Sequence, residues 1–256
     1  MCHDLDSQPP IPPIAGAAVD GKRIDLHSSD GTRFIAYDAH AENATGAGVV
    51  ILPDVRGLHH FYEELALRFA ERGIDAVTID YFGRTAKTDD RGDSFDFMTH
   101  VNQINHESAM LDVKAAVDHL ADRGVRTIFT MGFCMGGRMT FLTAARDELD
   151  LAGAMGFYGS VTGEGRGGAA APTDLARAGK YRAPVLGLFG GADQGIPADT
   201  INGFGDALTA AGVDNELVIY PGAPHSFFDR KAADFGAAAE DAWAKVMGFV
   251  EKNSAA

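Results

Sequence analysis

The chain has 256 residues, enough for one large domain or two small ones. Its 36 acidic and 22 basic side chains leave a formal charge of −14, and this negative field disfavours binding to nucleic acid or to an anionic membrane surface. Hydrophobic residues make up 46% of the chain, so a core of ordinary size requires no disulfide and no structural metal.

The first predicted segment is a polar, proline-rich leader over residues 1–19, followed by a single domain over residues 20–256. The leader lacks the basic start and the apolar stretch of a signal peptide, and no later stretch approaches the ~20 apolar residues of a membrane helix. We therefore expect a cytoplasmic protein. Cys2 and Cys134 are expected to be free thiols, as is usual in a reducing compartment.

The strand pattern begins with two extended runs at residues 23–28 and 32–39, separated by Ser29-Asp30-Gly31. Turn residues between two such runs predict an N-terminal antiparallel hairpin. Further along, short β-branched runs alternate with amphipathic stretches, which predicts a parallel sheet with crossover helices. The runs are residues 49–52, 76–79, 127–131, 152–157, 185–189 and 217–220.

Three amphipathic stretches have apolar residues at helical spacing, so that each presents one apolar stripe. The stripes consist of Phe61, Leu65 and Phe69, of Met110, Val113, Val117 and Leu120, and of Ala239, Trp243, Val246, Met247 and Val250. Two irregular segments, residues 85–106 and 161–183, interrupt the alternation. Insertions of that length in a compact domain usually form lids, pocket walls or mobile loops.

The most informative motif is Gly132-Phe133-Cys134-Met135-Gly136, which lies between a buried strand and a helix. It matches the G-x-S-x-G nucleophile elbow, with cysteine in the serine position. The two glycines are needed because side chains there would collide across the turn. The start of a helix also favours the thiolate form of Cys134. The alternative is an ordinary buried cysteine in a glycine-rich turn.

A cysteine nucleophile needs a base and a group that orients the base. Asp193 follows the run at residues 185–189, and His225 follows the next run, at residues 217–220. In an open parallel sheet the carboxyl ends of the strands carry the site. The order nucleophile, acid, histidine is the one found in α/β-hydrolases. The sequence therefore predicts Cys134, Asp193 and His225 as a catalytic triad.

An oxyanion hole requires two backbone donors, one of them from the residue after the nucleophile. That residue is Met135. The second donor is expected from the loop after the run at residues 49–52, and Val55 is the candidate. Asp54 precedes Val55, where it is either part of the site or a turn carboxylate. Arg138 lies one helical turn beyond Cys134. It is expected to be solvated or salt-bridged, and contact with the substrate is the alternative.

These segments together resemble the dienelactone hydrolase family of α/β-hydrolases, in which a cysteine replaces the usual serine. The resemblance covers about residues 20–250 and is carried by G-x-C-x-G-G, the downstream aspartate and the Pro-Gly-Ala-Pro-His-Ser-Phe loop around His225. It implies the α/β-hydrolase fold, with a mostly parallel central sheet flanked by helices. It also implies the triad and the oxyanion-hole donors already named.

The resemblance adds two further expectations about side chains. In the family a glutamate before the first oxyanion donor helps to hold and activate the thiol, and this chain has Asp54 there as the candidate thiol-activating residue. The family's dienelactone enzymes hold the substrate carboxylate with two arginines. Arg84 matches the first of them and is the candidate substrate-binding residue. The second is expected four residues after the histidine, where this chain has Asp229.

We therefore expect a hydrolase that cleaves a small carboxylic ester or lactone through a thioester intermediate. No cofactor and no metal site are expected, because the adjacent His59 and His60 diverge and no ligand spacing completes a site. The expected partner is the small ester or lactone, with no nucleic acid and no membrane. A thioesterase or a broad carboxylesterase on the same triad is one alternative, and a catalytically silent scaffold that binds a ligand is another.

Overall fold

The computed structural model describes residues 7–15, 17 and 19–254, and eight strands in this part of the chain form one sheet in the order β1-β2-β4-β3-β5-β6-β7-β8. The strands are β1 (Val19–His27), β2 (Arg33–Ala41), β3 (Ala47–Leu52), β4 (Asp75–Ile79), β5 (Thr127–Phe133), β6 (Gly153–Phe157), β7 (Val185–Gly190) and β8 (Asn215–Tyr220). The helices are α1 (His60–Ala70), α2 (Phe97–Val101), α3 (His106–Asp122), α4 (Met135–Thr143), α5 (Pro172–Arg177), α6 (Ala198–Ala210) and α7 (Gly236–Ser254).

The sheet is antiparallel at one end and parallel over the rest. Strand β2 pairs antiparallel with both β1 and β4, and the hairpin register places Leu26 opposite Phe34. All pairs from β4 through β3 to β8 are parallel. The predicted N-terminal hairpin and the predicted parallel sheet with crossover helices are both confirmed. The structure has the α/β-hydrolase fold.

The hydrophobic core lies on both faces of the sheet, as the side chains of β3 illustrate. Val49 and Ile51 join the core cluster that contains the buried faces of α1 and α7, whereas Val50 and Leu52 join the cluster that contains α3. All six residues of this strand are buried. A strand covered on both faces has a continuous apolar sequence rather than an alternating one. For this reason β3 could be predicted from its apolar run.

The two irregular segments contain short elements that the sequence did not predict. Helix α2 lies in residues 85–106, and α5 together with a 3-10 turn at Arg166–Gly168 lies in residues 161–183. Each segment also contributes a side chain to the cavity described below. Of the lids, pocket walls and mobile loops expected for such insertions, these two contacts agree with pocket walls.

The described part of the predicted leader packs on α1. Ile11 is buried in the core, and the Ile14 N–H donates to a carboxylate oxygen of Glu71 at 3.0 Å. Strand β1 begins at Val19. The division of the chain into a leader and one domain stays a prediction, and Cys2 lies outside the described residues.

Helix α7 is amphipathic and, with 19 residues, the longest described helix. Its apolar stripe packs against β6 and β7, while its other face carries polar side chains. No helix in the described ranges has the length and apolar character that a bilayer crossing requires.

Candidate active site

Cys134 lies at the turn between β5 and α4. Its backbone has φ of 55° and ψ of −112°, a conformation that costs a residue other than glycine about 1–3 kcal/mol. The Cys134 N–H donates to the carbonyl oxygen of Phe157 at 3.0 Å, which fastens the turn to β6. The residue is partly exposed. A strained strand-to-helix turn that presents its side chain is the geometry of a nucleophile elbow.

The glycines on either side of Cys134 leave room for this turn. A Cβ atom on Gly132 would lie 2.2 Å from the carbonyl oxygen of Gly136, and a Cβ atom on Gly136 would lie 2.1 Å from that of Leu52. The first contact is across the elbow, as the sequence predicted. The second is with the end of β3, so the elbow also needs a glycine in order to pack against the sheet.

We expect Gly136→Ala to destabilise the fold by about 3 kcal/mol or more. The carbonyl oxygens that the new methyl group would meet belong to the backbone and cannot move aside. Urea unfolding would measure the loss. Gly203→Ala is the matched control, since a Cβ atom on this α6 glycine meets nothing within 4 Å. The control is expected to gain about 0.5–1 kcal/mol from helix propensity. An unchanged midpoint for Gly136→Ala would contradict the close packing of the elbow.

Asp193 and His225 form a hydrogen-bonded pair at the ends of β7 and β8. The Asp193 Oδ2 to His225 Nδ1 distance is 2.6 Å, and the Asp193 side chain is 7% exposed against 35% for His225. The other carboxylate oxygen, Oδ1, accepts the Gly195 N–H at 2.9 Å. Both oxygens of Asp193 therefore have fixed partners, and the plane of the imidazole is set by a nearly buried carboxylate.

Backbone hydrogen bonds join the two loops that carry this pair. The Gly191 N–H donates to Tyr220 O at 2.8 Å, and the Ala192 N–H donates to Ala223 O at 2.9 Å. These bonds continue the pairing of β7 with β8 beyond the strand ends. The acid and the histidine are thus held together by the sheet itself.

Cys134, Asp193 and His225 line one cavity of about 300 Å³. Val55 and Met135, the expected oxyanion-hole residues, line the same cavity. Met135 is the first residue of α4, so its N–H has no partner within the helix. The structure thus brings five of the seven predicted site residues to one place.

The comparisons with known proteins concern the family of the chain. The family model described as "Dienelactone hydrolase family" matches residues 34–254. The chain belongs to the dienelactone hydrolase family. It is 30% identical to the carboxymethylenebutenolidase of Rhodococcus opacus over 259 residues, which cover 98% of this chain and 97% of the relative. It is 31% identical over 229 residues to a provisionally named carboxymethylenebutenolidase of Escherichia coli O157:H7, covering 86% of this chain and 82% of that one.

A solved structure supports the same assignment. The crystal structure of a provisionally assigned dienelactone hydrolase from Klebsiella pneumoniae has a TM-score of 0.80 to this chain at 28% identity, covering 91% of this chain and 99% of that one. Family and fold together make this protein a hydrolase that acts on carboxylic esters or lactones.

Asp54, at the position of the family glutamate, is fully buried beside the cavity residue Val55. Its Oδ1 accepts the Arg56 N–H at 2.9 Å. The neighbouring Tyr81 is buried, and its pKa is raised well above the ordinary value by that burial and then by the charges of Asp54, Asp80 and Cys134. Activation of the thiol by Asp54 stays a prediction.

Asp229 stands where the family has its second arginine, and it is a buried acid. The Tyr158 hydroxyl donates to its Oδ2 at 2.7 Å, and the ring of Tyr158 lies 4.8 Å from that of His225, centroid to centroid. Burial, followed by the charge of Asp54, raises the pKa of Asp229 to about 8. The side chain is thus protonated at neutral pH and adds no negative charge beside the histidine.

We expect Asp229→Asn to become more stable relative to the wild type as the pH rises. Unfolded Asp229 loses its proton near 3.8 and the folded residue near 8, so unfolding releases a proton between these values and wild-type stability falls as pH increases. The variant has no such loss, and the difference should grow by up to about 1.4 kcal/mol per pH unit. Asparagine has one hydrogen-bond acceptor fewer than a carboxylate. The free-energy cost of that missing acceptor does not depend on pH.

Urea unfolding of both proteins at about pH 5 and about pH 8 measures this difference, because denaturant midpoints report stability at each pH. Asp234→Asn is the control, since the Asp234 side chain is 66% exposed. A difference between Asp229→Asn and the wild type that stays constant with pH would contradict a protonated Asp229.

Arg84 is not brought to the Cys134 cavity. Its Nη1 donates to Asp112 Oδ1 at 2.6 Å, and its Nη2 donates to Asp30 Oδ2 at 2.8 Å. It lines a separate cavity of about 20 Å³. The expectation that Arg84 binds substrate finds no support in this arrangement, because two carboxylates of the protein already neutralise the guanidinium.

Among the other residues that line the cavity, His106, Tyr158 and Arg166 were not indicated by the sequence, which led to a different expectation for Arg138. The expectation for Arg138 was wrong. Its side chain is buried and bonded to backbone carbonyl groups rather than solvated or salt-bridged. Helical spacing from Cys134 was the signal that placed Arg138 near the site. In the described ranges, no group of three or more His, Cys, Asp or Glu side chains is arranged to hold a metal ion.

Proposed function

We propose that this hydrolase cleaves a small carboxylic ester or lactone with Cys134 as nucleophile, His225 as general base and acid, and Asp193 as the residue that orients the histidine. One observation carries the proposal: the strained cysteine turn and the hydrogen-bonded Asp193–His225 pair line the same cavity. A thiol, an imidazole and a carboxylate in that order are the three parts of a covalent acyl-transfer site.

A carboxylate can only accept hydrogen bonds, so His225 donates from Nδ1 to Asp193 at 2.6 Å, and Nε2 is the basic nitrogen. In the first step Nε2 takes the proton of the Cys134 thiol while Sγ attacks the carbonyl carbon. The resulting tetrahedral adduct collapses with loss of the C–O bond to the alcohol. The imidazolium returns its proton to the departing oxygen, and a thioester remains on Cys134.

The second step releases the acid. A water molecule gives one proton to Nε2 of His225 while its oxygen attacks the thioester carbonyl carbon. Collapse of this second adduct breaks the C–S bond, and the Cys134 sulfur recovers the proton from the imidazolium. For a lactone, the alcohol and the acid are the two ends of one product. The thiol and the neutral imidazole are regenerated, so the cycle consumes only ester and water.

The backbone N–H groups of Val55 and Met135 would hold the oxyanion of both tetrahedral adducts. Two facts support this role: both residues line the cavity with Cys134, and Met135 begins α4. An N–H group at the start of a helix is unpaired and lies at the positive end of the helix dipole. One such donor is worth about a hundredfold to a thousandfold in kcat.

The test is capture of the thioester. With p-nitrophenyl acetate, we expect a burst of one p-nitrophenolate per chain and, by mass spectrometry of the quenched protein, one acetyl group on the peptide that contains Cys134. The Cys134→Ala protein serves as the control that accepts no acetyl group. Turnover without a burst and without an adduct would overturn the covalent mechanism. The absence of turnover on esters, lactones and acyl thioesters alike would instead favour a silent ligand-binding scaffold.

A further inference from the structure

We propose that Arg138 and Arg166 form a subsite that binds an anionic group of the substrate, of the carboxylate type, in the same cavity as Cys134. The inference rests on the proposed function and names the substrate class of that site. It assigns anion binding to α4 and to the insertion at residues 161–183, rather than to Arg84.

Arg138 brings a buried positive charge to the cavity wall. It is 8% exposed, its Nη1 donates to Thr162 O at 2.8 Å and to Ser160 O at 3.3 Å, and its Nη2 donates to Gly163 O at 2.6 Å. These acceptors are neutral. No salt bridge among the described residues includes Arg138, and burial, followed by the charge of Arg166, lowers its pKa. A buried guanidinium bonded only to carbonyl groups keeps its full charge and attracts an anion.

Arg166 brings a second, exposed guanidinium. It begins the 3-10 turn at Arg166–Gly168, which packs on the start of α3. A Cβ atom on Gly165 would lie 2.7 Å from His106 Nδ1, so only glycine lets the turn approach this closely. The turn fixes the backbone of Arg166 beside the cavity. No hydrogen bond or salt bridge of the described residues uses its side chain, so its donors are available to a ligand.

His106 supplies an independent indication that this wall accepts a ligand. It is 1% exposed, it lines the cavity, and neither of its ring nitrogens has a hydrogen-bond partner within the described part of the structure. Burial, followed by the charges of Arg138 and Arg166, lowers the pKa of His106 to about 4. A buried N–H without a partner is unfavourable, and a bound acceptor would relieve that cost.

The charged side chains on this wall of the cavity are positive. Two guanidinium groups and a neutral imidazole face the cavity, and the acid that acts on His106, Glu107, is paired with Arg146. The overall charge of the chain is −14, but charges more than about 8 Å away are largely screened at physiological salt. The local pair of cations therefore decides which substrates are favoured.

The two arginines have different parts in this subsite. The Nη donors of Arg138 are occupied by carbonyl groups, so this residue contributes its charge. Arg166 has its planar fork of donors available, and that fork matches the two oxygens of a carboxylate. The predicted specificity is for an ester or lactone that carries a carboxylate within reach of Arg166 when its carbonyl group is at Cys134.

The test compares an anionic ester, p-nitrophenyl hydrogen glutarate, with a neutral one, methyl p-nitrophenyl glutarate, in which the free carboxyl group is methylated. We expect the ratio of kcat/KM for the acid to that for the diester to fall about tenfold to a hundredfold in Arg166→Ala, the loss of one charge-assisted hydrogen bond. Arg166→Lys should recover part of the ratio. Arg177→Ala is the matched control, because Arg177 is 66% exposed and lies in the same insertion but outside this cavity.

An unchanged ratio in Arg166→Ala, or an equal fall in Arg177→Ala, would overturn the subsite. A second measurement does not need turnover. In the Cys134→Ala protein, calorimetry should detect the binding of glutarate, and adding Arg166→Ala should weaken it about tenfold or more, whereas adding Arg177→Ala should not. Glutarate that binds equally well without Arg166 would also overturn the subsite. Failure of both esters to react, with glutarate still bound through Arg166, would count against the proposed function alone.

Discussion

The Cys134→Ala variant is expected to lose ester hydrolysis, with kcat lowered roughly ten-thousandfold or more. The substitution removes the sulfur that forms the acyl bond. Alanine changes the volume little, and the Cys134 N–H bond to Phe157 remains. The measurement is steady-state release of p-nitrophenolate, together with a thermal melt to establish that the fold is intact.

The Cys134→Ser variant should be measured beside Cys134→Ala. A serine hydroxyl is a much weaker acid than a thiol, so proton transfer from it to His225 is less favourable, and we expect a variant nearly as poor as Cys134→Ala. Near-wild-type kcat in the alanine variant would mean that another group, or water itself, attacks the ester. A fully active serine variant would mean instead that the reaction does not depend on a sulfur nucleophile.

The His225→Ala variant is the second large effect, with an expected fall in kcat of roughly a thousandfold or more. Without the imidazole, no group takes the thiol proton or protonates the departing alcohol. Asp193→Asn should lose less than the histidine variant, since a misplaced imidazole still does part of the work. His27→Ala is the matched control, because His27 is exposed on the edge strand β1.

The double variant decides whether these residues act as one unit. His225→Ala should add little to the loss already caused by Cys134→Ala, because members of one catalytic group are strongly non-additive. Losses in kcat that multiply across the two substitutions would show that the cysteine and the histidine work independently. That result would remove the base from the proposed mechanism while leaving the nucleophile in place.

The parts of the site that were predictable from sequence are those fixed by local geometry. Gly132, Cys134 and Gly136 are recognisable because one tight turn imposes all three positions. Asp193 and His225 are recognisable because each follows a buried apolar run, and parallel strands bring their carboxyl ends to one edge. Short-range sterics and strand direction determine these placements, and both can be read along the chain.

The parts that were not predictable depend on contacts between segments far apart in sequence. Arg84 occupies the expected place after β4, but its partners Asp30 and Asp112 lie 54 and 28 residues away. These ion pairs determine the direction of the guanidinium group, and no residue close to Arg84 in the sequence indicates them. Likewise, the pKa of Asp229 is raised because the fold buries its side chain and brings the charge of Asp54 near it.

The loops of Asp193 and His225 are tied to each other by main-chain bonds, Gly191 to Tyr220 and Ala192 to Ala223. Main-chain bonds do not depend on which side chains surround them. A protein engineer can therefore redesign the insertion at residues 161–183 for new substrates while the spacing between carboxylate and imidazole is kept by the sheet. Libraries that vary this insertion should retain the chemistry in many members, whereas libraries that vary residues 190–193 or 220–225 should retain it in few.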